Sequence, residues 1–128
     1  MRTGDTLLWI AATDATFERV TAAGEDAIAG KCIHCGRRLT LTPQGRPISR
    51  ATIEHIVPRT HGGTGDLENL AIACARCNAG KGHRLDHRRA DDPTLLQVIE
   101  TLQNRRRQRW REPPDDWPLP PRPDRARR

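Results

Sequence analysis

Four cysteines stand in two C-x-x-C pairs, Cys32/Cys35 and Cys74/Cys77, in a chain of 128 residues. Two thiolates separated by two residues can grip one ion from a tight turn. Two such turns complete a tetrahedron, the coordination that zinc takes in structural sites. Disulfides are the other use for four cysteines, but they belong to oxidising compartments. The apolar stretch Leu7–Ala12 is too short for an export signal and follows Asp5, where basic residues belong. A redox C-x-x-C needs only one pair, in a thioredoxin-like context. The four cysteines are therefore expected to form a closed, all-thiolate zinc site whose binding energy is folding energy.

Between and just after these pairs run Thr52-Ile53-Glu54-His55-Ile56-Val57-Pro58, Gly62-Gly63, Asp66-Leu67-Glu68-Asn69-Leu70 and Cys74-Ala75-Arg76-Cys77-Asn78-Ala79-Gly80-Lys81-Gly82. This ordered set resembles the HNH endonucleases, the ββα-metal or His-Me finger nucleases, over about residues 32–84. The resemblance makes His55 the family's histidine, Asn69 its central asparagine and Asn78 its final position, at intervals of 14 and 9 residues. It implies metal-dependent hydrolysis of DNA phosphodiester bonds, by nicking or double-strand cutting, that leaves 5′-phosphate and 3′-hydroxyl ends.

The residue types suit that chemistry. A neutral imidazole, with an ordinary pKa of about 6.5, can take a proton from water near neutrality, so His55 is the expected general base. A hard cation such as Mg²⁺ or Mn²⁺ wants oxygen ligands and keeps several waters, so the Glu54 carboxylate and the Asn78 amide oxygen would suffice. The ion would stabilise the transition state and the 3′-oxygen leaving group. By resemblance, Asn69 bonds the backbone of the loop after His55 and keeps the imidazole aimed. Glu54 stands where the family more often has Asp, and Asn78 in place of His favours an oxygen-loving ion. Lys81 and Arg84 are expected at phosphates. His61, His83 and His87 read as solvated or phosphate-touching, with His83 the one credible substitute ligand.

Glu54 and His55 are neighbours, and neighbours in a regular strand face opposite ways. The strand must therefore twist or end there, and Pro58 is placed to terminate it. Short strands are expected at Leu39–Thr42 and Ile48–Val57, around the turn Pro43-Gln44-Gly45-Arg46-Pro47, with another at Leu70–Cys74 and a helix from about Ala75 to Leu85. Asp92-Pro93 is a strong helix start. Leu95, Val98, Ile99 and Leu102 form its apolar stripe, and the helix should run to about Arg111. Residues 13–21 fit either a capped helix or a strand turning at Gly24, and alternation over Phe17–Thr21 favours the strand.

The expected fold is thus a small α+β protein, a ββα-metal core stapled by zinc. Residues 1–31 form an extension packed on it, 32–88 the nuclease domain, 89–111 a C-terminal helix and 112–128 a flexible basic tail rich in Pro and Arg. Composition agrees: 35% hydrophobic residues and 3% aromatic make a thin core in need of a staple. The net charge of +6 suggests an anionic partner, here DNA. Nine of the arginines fall within residues 105–128. Arg105, Arg106, Arg107 and Arg109 are therefore candidates to bind nucleic acid, although such a run can also be only a solubiliser.

No apolar run approaches a membrane span, so the chain reads as cytoplasmic, in a bacterial or phage-infected cell. Two other readings compete with the nuclease: a zinc-stapled DNA-binding module, and a subunit of a larger DNA-processing assembly, such as phage packaging or restriction, docked through the 92–111 helix.

Overall fold

The computed structural model describes residues 3–122. Helix α1 (Thr3–Ala12) leads into a meander of β1 (Glu18–Ala22), β2 (Glu25–Lys31) and β3 (Arg38–Leu41), antiparallel in the order β1-β2-β3. A second antiparallel pair, β4 (Ala51–His55) and β5 (Leu70–Cys74), runs straight into α2 (Ala75–Arg84). Helix α3 (Pro93–Arg109) follows. The architecture is small α+β, with β4, β5 and α2 forming the ββα unit. Among the described residues no helix is long and apolar enough to cross a membrane.

The stretch favoured as a strand is β1, and it turns through Ala23 and Gly24. Both have positive φ, the two-residue turn whose twist matches a hairpin. Helix α1 had no counterpart in the sequence reading. It buries Leu7, Leu8, Ile10, Ala11 and Ala12 and packs against β5, of which every residue is buried. A short helix apolar on most sides carries little periodic signal, because its burial comes from enclosure rather than from one face.

The strand at Leu39–Thr42 also departs from expectation, because β3 pairs with β2 and not with β4. After the turn, Leu41 bridges Pro47, which has no N–H to extend a ladder. Ile48, 60% exposed, and Ser49 still donate to the Thr40 carbonyl, and the chain leaves β3 only after them, before β4 begins at Ala51 to pair with β5.

Helix α3 starts as its capping signal dictates. The Asp92 carboxylate accepts from the backbone N–H groups of Thr94 and Leu95, each at 3.0 Å, and these bonds hold its pKa below the ordinary value. The arginines at its far end correct the expectation of a DNA-facing run. Arg106 is 1% exposed. It donates to the carbonyls of Leu70 (2.8 Å), Thr13 (2.9 Å) and Leu67 (3.2 Å) and to Thr13 Oγ1 (2.7 Å). Burial pushes its pKa down to about 10, so the guanidinium stays charged at neutral pH. Arg105 donates to the Ile33 and His34 carbonyls, and Arg109 to those of Lys31 and Cys32. Arg111 donates to the carbonyls of Ala11 and Ala12, placing a cation at the C-terminal end of α1. A planar fork that can reach two or three carbonyls at once explains this use of arginine.

Replacing Arg106 with Met removes four buried hydrogen bonds, to Leu67, Leu70 and Thr13, and should cost about 3 kcal/mol of stability. Urea denaturation measures it, and a loss below about 1 kcal/mol would show that the four bonds carry no net weight.

The tail expectation is corrected for residues 112–122. Trp117 is buried against the core, Trp9 Nε1 donates to the Pro120 carbonyl at 2.8 Å, and Arg122 lies over the Trp9 ring. The Pro-rich composition hid the apolar anchor. The rest of the tail, residues 123–128, lies outside the described residues.

Candidate active site and metal centre

The two cysteine pairs meet. Cys32 follows β2, Cys74 ends β5 and Cys77 lies in the first turn of α2, and all four sulfurs lie within 4.8 Å of one another. Backbone N–H groups point at the sulfurs: His34 and Cys74 donate to Cys32 Sγ, and Cys77 donates to Cys74 Sγ. Burial, with the neighbouring Cys74 and Cys35 sulfurs, pushes the Cys77 thiol up to about 12. The Cys77 thiol therefore resists ionising without a cation beside it. The set is thus positioned to hold a metal ion, and four soft thiolates suit zinc.

Further along the same ββα unit, β4 and α2 wall an open cleft of about 410 Å³ lined by Glu54, His55 and Asn78. Strand β4 ends at His55, and this lets two sequence neighbours border one cleft. His55 is half-buried. Its Nε2 accepts from Arg59 Nε at 3.2 Å, which leaves the ring proton on Nδ1. Asn78 Nδ2 donates to Thr52 Oγ1 (3.0 Å) and the Ile53 carbonyl (2.9 Å), so both of its N–H groups are spent on β4 and Oδ1 is the atom it keeps for a cation.

Asn69 stands apart from the cleft as a clamp. Its Oδ1 accepts from Val57 N at 2.9 Å, while Nδ2 donates to the carbonyls of Val57 (3.2 Å) and Thr64 (2.8 Å). One side chain thereby closes the loop after His55 at both ends. The glycines allow the closure: a Cβ at Gly63 would sit 1.7 Å from the Val57 carbonyl oxygen.

Glu54 is 1% exposed, with Oε1 bonded to His34 Nε2 and Oε2 3.1 Å from Lys81 Nζ. Lys81 Nζ also donates to Asp86 Oδ1 (2.8 Å) and the His55 carbonyl (3.2 Å). Lys81, expected at phosphates, is instead 3% exposed and an internal counter-ion, because α2 turns it inward against two carboxylates. A carboxylate has about four lone-pair positions. The two bonds to Glu54 fix its rotamer and leave capacity for an ion from the cleft. One ammonium facing two carboxylates leaves negative charge to attract a cation. Glu54 with Asn78 Oδ1 therefore fits a hard divalent ion.

Of the residues expected at nucleic acid, Arg84 and Arg107 are exposed, while Arg105, Arg106 and Arg109 are spent on backbone carbonyls. His83 and His87 are exposed and border the cleft. The sequence reading passed over His34, Arg59 and Asp86. The available signals were a histidine inside a C-x-x-C and an arginine four residues past the expected base.

No curated protein and no solved structure matches the chain. The family model for HNH endonuclease matches residues 32–84, the span from the first zinc-type cysteine to the end of α2. Families of this kind are nucleases in general and engage nucleic acid. The cysteine cluster, the clamped loop and the cleft at the end of β4 all fall inside the matched span, so the part of this chain that matches the HNH endonuclease model is the part that carries the site.

Proposed function

We propose that the protein is a metal-dependent DNA endonuclease with its centre in the β4–α2 cleft. The observation that carries this reading is the convergence of His55, Glu54 and Asn78 on one open cleft beside a loop locked by Asn69. His55 Nε2, with the ring proton on Nδ1, accepts the proton of a water as its oxygen attacks phosphorus and the P–O3′ bond breaks in line. Glu54 and Asn78 would hold Mg²⁺ or Mn²⁺, which supplies charge neutralisation at the phosphate and at the leaving oxygen. The exposed Arg59, beside His55, meets the approaching phosphate. In doing so it leaves the imidazole lone pair that it occupies in the free protein. The exposed Arg84, at the end of α2, is a further cation whose counterion release would add sequence-independent affinity.

The test is incubation of supercoiled plasmid with the zinc-loaded chain in Mg²⁺ or Mn²⁺, beside Glu54→Gln and Asn78→Ala. The expected result is conversion to nicked or linear DNA by the unaltered chain and at least tenfold slower conversion by either variant, with DNA binding kept. Binding without cleavage in both metals would overturn the nuclease and leave a zinc-stapled DNA-binding module.

A further inference from the structure

Glu54 is held from two sides, and one of its holders comes from the cysteine cluster itself. His34 lies between Cys32 and Cys35, so the two ligands that flank it set where its backbone runs. Its N–H donates to Cys32 Sγ at 3.4 Å, and its carbonyl accepts from Arg105 Nη1 at 3.1 Å. From this fixed backbone the imidazole reaches across 20 residues of sequence and bonds Glu54 Oε1 through Nε2. The ring nitrogen is thereby aimed at the carboxylate and away from the sulfurs, where a fifth ligand would have no place in a closed tetrahedron. Beyond Glu54 the connection continues through Lys81 to Asp86 and to the carbonyl of His55.

We propose that His34 is a positioning residue that transmits the geometry of the four-cysteine knuckle to Glu54, so that the cleft's carboxylate is set for its ion only when His34 donates to it. This rests on the nuclease reading and adds a residue to it. A ligating carboxylate is itself oriented by hydrogen bonds, and losing one such partner typically weakens metal binding by about 10–100-fold. Lys81 alone cannot replace His34, because its ammonium is shared with Asp86 and the His55 carbonyl and leaves Oε1 without a donor. Arg105 gains a purpose here as well: by holding the His34 carbonyl it braces the knuckle from α3.

The experiment measures Mn²⁺ affinity by electron paramagnetic resonance on the full, zinc-loaded chain bound to an uncleavable phosphorothioate duplex. Zinc content and circular dichroism are recorded beside it. His34→Ala should keep one zinc per chain and the same duplex affinity while binding Mn²⁺ at least tenfold more weakly. His34→Gln, whose amide N–H reaches about as far, should recover most of that loss. Mn²⁺ affinity within twofold of the unaltered chain in His34→Ala, or loss of zinc with it, would overturn the proposal and leave the nuclease standing. If His34→Ala does not fold, His34→Gln and His34→Asn carry the test, since Asn stops one bond short, and equal Mn²⁺ affinity in those two overturns it. If the unaltered chain binds no Mn²⁺ on the duplex, the ion reading of the cleft fails, and the role of His34 with it.

Discussion

Replacing His55 with alanine should slow single-turnover cleavage of plasmid by about 10²–10⁴-fold, the range that a positioned general base supplies. Duplex affinity and melting temperature should stay close to those of the unaltered chain. His55 is the last residue of β4 and half-buried at the cleft, and its backbone carbonyl, not its ring, accepts from Lys81. The ring can therefore be removed without stranding the buried ammonium. Asn69→Ala should behave differently. Its three bonds close residues 57–64 against the end of β4, so losing them should lower both cleavage and stability. Quenched-flow or gel-based single-turnover rates at saturating protein separate the two. A loss below about threefold in His55→Ala, far short of that range, would remove His55 from the chemistry and leave the cleft without a base.

What was legible in the sequence was chemistry with a local or fixed-interval signature. Paired cysteines two residues apart leave few uses, and the structure gathers all four sulfurs. Asp92-Pro93 announces a helix start because cap and first turn are neighbours in sequence, and α3 begins there. Asn78 directly after Cys77 must share the first turn of α2 with a knuckle cysteine, so its place beside β4 follows from the knuckle.

What was not legible depended on partners far along the chain. Strand β3 pairs with β2 because the 32–37 knuckle folds them together. Cys32 N donates to the Arg37 carbonyl at 2.9 Å inside that turn, and alternation of residue types cannot report such a choice. Arginines 105, 106 and 109 look like a polyanion-binding run by composition. Only the fold shows that the carbonyls of Leu70, Thr13, Ile33 and Lys31 face them. Lys81 misled for the same reason, since its inward turn answers to Glu54 and Asp86, five and more residues away.

Cys35→Ser should unfold residues 32–84, although it barely alters packing. Cys35 is the exposed member of the cluster, so exchanging sulfur for oxygen there removes a ligand and almost no buried surface. The metal's contribution is thereby isolated from the core's. A structural zinc site contributes about 10–16 kcal/mol of apparent binding energy, against a total stability of about 5–15 kcal/mol for a domain of ordinary core. The core here is thinner than ordinary, and the knuckle joins the β2–β3 turn to the start of α2, so three elements lose their common tie at once. The arginine forks of α3 do not replace it: Arg105 and Arg109 hold carbonyls at residues 31–34, inside the very turn that the metal shapes. A strong zinc chelator should have the same effect on the unaltered chain. Removing Mg²⁺ alone should stop cleavage and leave the circular dichroism spectrum unchanged, because Glu54 and Asp86 already share Lys81 as a counter-ion. Thermal melts followed by circular dichroism, with amide hydrogen exchange over residues 32–84, distinguish the two metals. A Cys35→Ser chain that keeps a cooperative melt within about 5 °C of the unaltered one, a shift worth only about 1 kcal/mol, would show that apolar packing and the arginine forks hold this domain without its knuckle.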